Sequence, residues 1–140
     1  MQDALWKMPA TAQAEAVRRA DVSAVELIDS HLERIAEVNP RMNAVTQLLA
    51  ERARAAAGQT DRRRAAGEAL GPLAGVPFTV KESTAVEGVP TTFGTERFRN
   101  LVASADAPPV GGGGGGRGGG PRPPRNRPEP PNAEAEAAQT

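Results

Sequence analysis

From Gly111 to Pro131 the sequence reads GGGGGGRGGGPRPPRNRPEPP: nine glycines, six prolines, four arginines, one asparagine and one glutamate. No side chain in this stretch can anchor a core. Burial therefore has nothing to set against the entropy of ordering the segment, and disorder is expected. The closing NAEAEAAQT is too short for a stable isolated helix. Of the 140 residues, only the first 110 or so are left for a packed unit. The chain divides accordingly into a folded part, 1–110, and a Gly/Arg/Pro-rich tail, 111–140.

Within the folded part the aromatic residues are few: Trp6, Phe78, Phe93 and Phe98. Any core must come from Ala, Val, Leu and Ile. The 17 basic and 17 acidic residues balance, so the whole chain carries no field that would draw it to nucleic acid or membrane. The absence of cysteine excludes disulfides, zinc–thiolate sites and thiol catalysis, and fits a reducing compartment. MQDALWKMPA has no basic start followed by an apolar run. No apolar stretch approaches the roughly 20 residues that span a bilayer. A cytoplasmic protein with no membrane contact is expected. No cofactor and no metal are expected.

ATAQAEAVRRA, residues 10–20, has good helix propensity. In DVSAVELIDSHLERIAEVNP, Ser23 and Glu26 form a capping box. Val25, Ile28, Leu32, Ile35 and Val38 follow at spacings of three and four, one apolar stripe on a helix. Asn39-Pro40 predicts its end near Glu37, because a residue before proline avoids helical dihedrals. AERARAAA predicts a helix from Ala50 to Ala57, with a further helical turn around Asp61–Ala66. LAGVPFTVKE is an apolar run bracketed by glycine and proline, and predicts a buried strand from Pro77 to Lys81. Helices first and a strand late predict an α/β chain.

Few residues here carry chemistry. His31 is the sole histidine; Ile35 stands at i+4, so it has no metal-ligand partner there and reads as a packing or surface residue. Arg62-Arg63-Arg64 reads as a solvated charge cluster. GGRGGGPRPPRNR invites a nucleic-acid-binding reading, since arginine in flexible glycine follows phosphates. It has no repeat and no interleaved aromatic, and its four arginines face one glutamate. A non-functional tail is the favoured reading. Lys81 stands at a strand end and is by default solvated. The neighbouring Gly71, Gly75, Gly88, Gly94, Pro77 and Pro90 allow a second reading, in which a partly desolvated, neutral lysine acts as a general base.

GPLAGVPFTVKESTAVEGVPTTFGT, residues 71–95, resembles the start of the catalytic core of the amidase signature family. That pattern runs Gly-Pro-Leu, Gly-(Val/Ile)-Pro, Val-Lys and Gly-x-Pro-Thr-Thr. Upstream, SAVELIDSHLERIAEVNPRMNAV, residues 23–45, resembles the family's N-terminal helix and its Asn-Pro-x-x-Asn-Ala exit. The resemblance covers about residues 10–110. It implies a large α/β fold with a central mixed sheet flanked by helices, of which this chain carries the first helices and strand. The implied activity is hydrolysis of a small-molecule amide by a serine–cis-serine–lysine triad, with Lys81 matching the lysine. Through the bridging serine, Lys81 takes the proton of the nucleophilic serine.

Two departures stand out. Glu82 occupies a position where family members often carry Asp. The Gly- and Ser-rich loop that holds the family's two serines is not found after Lys81, and Ser83 and Ser104 do not match them. An isolated chain of this sequence is expected to be inactive, and marginal or aggregation-prone, since its strand lacks neighbours. Poly-Gly stands where the family continues in an Ala- and Arg-rich helix. One base out of frame, GC-rich glycine codons become alanine or arginine codons. A shifted frame near Val110 is therefore expected, and reading the locus in all three frames checks it.

Overall fold

The computed structural model describes residues 5–111. A short 3-10 turn, Leu5–Lys7, precedes α1 (Ala10–Arg19), α2 (Ala24–Met42) and α3 (Ala50–Ala65). Residues 67–107 then run as turns and loops, with one further 3-10 turn at Glu96–Phe98, before a single helical turn, α4 (Pro108–Gly111). The expectation of a disordered, non-functional tail, and the nucleic-acid-binding alternative to it, fall beyond Gly111 on residues outside those described.

The core lies where α1, α2 and α3 meet. Val17 and Leu27 are completely buried, with Ala24, Ile28 and Ala57 around them. Leu5, Val22, Val25, Leu32 and Ala53 pack on its edge. The buried face of α2 is thus Ala24, Leu27 and Ile28, at i, i+3 and i+4. Of the Val25–Val38 stripe, Ile28 is buried and Val25, Leu32, Ile35 and Val38 are partly covered.

Every N–H at the start of α2 is satisfied. Ser23 Oγ accepts from the Glu26 amide at 3.0 Å, and Glu26 accepts from the Ser23 amide at 2.9 Å. These bonds hold the Glu26 carboxyl below its ordinary value, with the Ser23 backbone N–H the larger cause. Asp61, far along on α3, accepts from the amides of Ala24 at 2.8 Å and Val25 at 3.2 Å. One turn further, Arg64 donates to the carbonyls of Val17 at 2.8 Å and Val22 at 3.1 Å, at the closing end of α1. Asp61 and Arg64 therefore fasten α3 across the α1–α2 corner.

This arrangement corrects three expectations. Arg64 is not a solvated charge; its side chain is 22% exposed and serves backbone carbonyls. Arg63 is also partly covered and pairs with Glu68 at 2.7 Å. The third helix does not stop at Ala57 but runs through Gly58 to Ala65. A helical glycine costs about 1 kcal/mol, and the docking of Asp61 and Arg64 offsets it. α2 likewise passes Glu37 and contains Pro40. Asn39 makes that tolerable: its carbonyl accepts from the Asn43 amide at 2.7 Å, and its side chain bonds both the amide and the carbonyl of Val45. Asn43, at φ +48, then ends the helix.

The strand expected at Pro77–Lys81 does not form: the described residues carry the expected N-terminal helices, followed by turns and loops in place of the strand. Their sole β pairing is an isolated antiparallel bridge between Pro90 and Val102. A strand exists only through a ladder to a neighbour, and nothing described lies alongside Pro77–Lys81 to supply one.

Candidate active site

Lys81 lies in a stretch without helix or ladder, so its placement depends on turns. Upstream, the Ala74 amide bonds to the Gly71 carbonyl at 3.1 Å and the Val76 amide to that of Leu73 at 3.2 Å. Gly75 has φ +83, and a Cβ placed there would sit 3.1 Å from both Ala24 Cβ and Val17 Cγ1. Only glycine lets the backbone lie this close to the core in that conformation. The GVP motif is thus the point at which the loop half is seated on the helices.

Downstream, the Thr84 amide closes a turn onto the Lys81 carbonyl at 2.8 Å. Glu82 reaches across to the PTTFG turn, where one carboxylate oxygen accepts from the backbone amides of Thr92 and, at 3.1 Å, Phe93. Phe93 and Gly94 have φ +52 and +71. Hydrogen bonds from Thr92, side chain first and then backbone, hold the Glu82 carboxyl below its ordinary value.

The rest of the loop is tied back to α3. Arg52 donates to the Glu87 carbonyl at 3.0 Å and pairs with Asp106 at 3.2 Å, while Asp106 also accepts from the Glu87 amide at 2.8 Å. Around the Pro90–Val102 bridge, the Thr91 amide bonds to the Leu101 carbonyl at 2.9 Å and the Ala103 amide to that of Val89 at 3.2 Å. A shallow, mainly apolar hollow of about 260 Å³ opens here, lined by Ser83, Ala85, Thr91, Phe93, Leu101 and Val102 among others.

Lys81 itself is exposed, and among the described residues its ammonium has no hydrogen-bond or ion-pair partner. Desolvation of this lysine therefore does not come from the described residues. Ser83 lines the hollow and Ser104 is exposed; neither hydroxyl is bonded to Lys81. His31 is half-buried on α2, its Nε2 enclosed without a partner among the described residues, and burial pushes its pKa below 6.5. In the sequence Glu82 stands out only as a departure from Asp; a carboxylate beside the lysine, nine residues before a Thr-Thr-Phe-Gly turn, is the available signal for its role.

Residues 26–111 match the family described as Amidase. The chain belongs to the amidase family. An indoleacetamide hydrolase of Bradyrhizobium diazoefficiens is 42% identical over 106 residues, which cover 76% of this chain and 20% of that protein. An acylamidase of Rhodococcus erythropolis is 40% identical over 106 residues, 76% of this chain and 22% of its own. Among solved structures, a bacterial aryl acylamidase of the amidase signature family superposes with a TM-score of 0.67 at 31% identity, covering 71% of this chain and 21% of that one. The chain thus spans about a fifth of the length of the relatives it matches. The matched region takes in α3, the GVP seat, Lys81 and the Glu82 contact.

Proposed function

We propose that this chain contributes the amine base of a hydrolase that cleaves a carbon–nitrogen amide bond, with Lys81 as that base. The observation that carries the reading is the amidase match running through a segment whose turns fix the Lys81 backbone while leaving its amine exposed. In this reading a neutral Lys81 takes a proton, through a bridging serine held in a cis peptide, from a nucleophilic serine. The serine oxygen attacks the amide carbonyl, and backbone N–H groups hold the oxyanion. The C–N bond breaks as the nitrogen takes up the proton, leaving an acyl-serine that water hydrolyses. Both serines lie outside this 140-residue sequence, and Ser83 and Ser104 are given no role. Without them the chain alone is inactive. The substrate is a small-molecule amide, and no cofactor or metal takes part. A cytoplasmic setting belongs to the same reading; no helix among the described residues is long and apolar enough to cross a membrane.

The test joins residues 1–110 to the downstream part of the Bradyrhizobium indoleacetamide hydrolase and applies a fluorophosphonate probe. The fusion is expected to label and turn over amide, and the 140-residue chain to stay unlabelled. Lys81→Ala in the fusion is expected to lower turnover by about 10²- to 10⁴-fold. Labelling of the 140-residue chain, or an active Lys81→Ala fusion, overturns the reading.

A further inference from the structure

We propose that Glu82 is a positioning residue for Lys81: its carboxylate grips the consecutive backbone N–H groups of Thr92 and Phe93 and so fixes the turn from which the lysine side chain departs. The role rests on the reading of Lys81 as the base.

The geometry is that of an anion held by a backbone concavity. With Phe93 and Gly94 at positive φ, the chain turns so that the amides of Thr92 and Phe93 converge on one point. Such a concavity takes an anion, and here the anion is Glu82. Thr92 Oγ completes the turn by accepting from the Gly94 amide at 3.2 Å. No charged side chain contributes to the lowering of the Glu82 carboxyl; the causes are hydrogen bonds from Thr92, Phe93 and Gly94. Hydrogen bonds to an ionised carboxylate are shorter and stronger than those to a neutral oxygen.

The consequence falls on the preceding residue. The Lys81 carbonyl is tied to the Thr84 amide at 2.8 Å, and the next side chain is clasped to a turn ten residues on. No ladder or helix assists. Remove the carboxylate, and the Thr84 bond is the one hydrogen bond left at this point of the main chain among the described residues. A reacting group misplaced by an ångström can lose about 10²-fold in rate, so a long lysine side chain needs a fixed origin.

Nuclear magnetic resonance on the 140-residue chain tests the clasp without reference to turnover. The Thr92 and Phe93 amide protons are expected to titrate together, with a midpoint below 4.5, the ordinary glutamate value. Glu82→Gln is expected to abolish that titration and speed hydrogen exchange at the Thr84 amide by about tenfold; Glu82→Asp is expected to restore both. Amides that are absent, do not titrate, or still titrate in Glu82→Gln overturn the proposal. In the fusion enzyme, Glu82→Gln is expected to lower kcat by about tenfold or more, with KM within about twofold, and Glu82→Asp to recover it. If Lys81→Ala stays active, the base reading falls and takes the positioning role with it. If Lys81→Ala is inactive while Glu82→Gln keeps its kcat, the Glu82 role falls alone.

Discussion

Residues 10–65 and residues 67–107 carry similar numbers of apolar side chains larger than alanine, 12 and 11, to very different effect. In the helical half, Val17 and Leu27 are fully enclosed, and the helix ends at the α1–α2 corner have their backbone groups bonded. In the loop half, Leu73, Phe78, Phe93, Leu101 and Val102 are each at least half exposed, and only Val86 and Thr91 are buried. The helical core closes from contacts among three neighbouring elements. The loop half carries apolar residues whose burial needs elements that none of the described residues provides.

Hydrogen exchange should show the contrast most strongly. Amides of 27–36 on α2 are expected to be protected by several orders of magnitude over those of residues 78–81, which have no ladder. Equal protection would erase the distinction between the halves. Leu27→Ala is expected to destabilise by about 3 kcal/mol, read from a chemical melt followed by circular dichroism. Gly75→Ala attacks the seat between the halves. It forces φ +83 on an alanine and drives its methyl against Val17 and Ala24, a loss of about 2 kcal/mol. A Gly75→Ala chain with unchanged stability would mean that the loop half is not seated on the core in solution. Asp61→Ala leaves the Ala24 and Val25 amides without their acceptor and is expected to cost about 1 kcal/mol.

The smallest effect is a pH dependence that belongs to the helical half alone. His31 has a folded pKa below 6.5 because it is desolvated. Between that value and 6.5 the unfolded chain binds a proton that the folded chain refuses. Stability is therefore expected to fall as pH drops below about 6.5, and His31→Gln to flatten that slope. Glu26 and Glu82 act lower. Their folded values lie below 4.5, so their contribution is present above about pH 4.5 and is lost as pH falls through those folded values. Denaturant midpoints measured across pH separate the two windows.

What could be read from the sequence follows the same division. The capping box of Ser23 and Glu26 joins residues three apart, and it appears as read. α1 also appears almost as read, from Ala10 to Arg19. The corner fastening escaped because Asp61 serves amides 36 and 37 residues away. Pro40 looked like a stop because the proline rule is local, whereas the Asn39–Val45 bonds that hold the turn come from beyond it. Pro77–Lys81 had the composition of a strand, but a strand is a relation between two segments. Lys81 was singled out by its motif; the Glu82 contact that fixes its backbone depends on a turn ten residues later, and its partners are main-chain amides, which carry no residue-type signature.

The reach of Asp61 also bears on synthesis. A nascent chain that has emerged only as far as α2 carries the Ser23–Glu26 box but lacks the acceptor for Ala24 and Val25, and it lacks the guanidinium that serves Val17 and Val22. Those arrive with the second half of α3. The corner between the first two helices thus cannot lock until translation has passed Arg64, and closing the intervening loop carries an entropy that grows only slowly with its length. Chains stalled before and after Arg64 should differ sharply in their resistance to protease, a difference set by one helical turn of residues that the α1–α2 sequence itself does not contain.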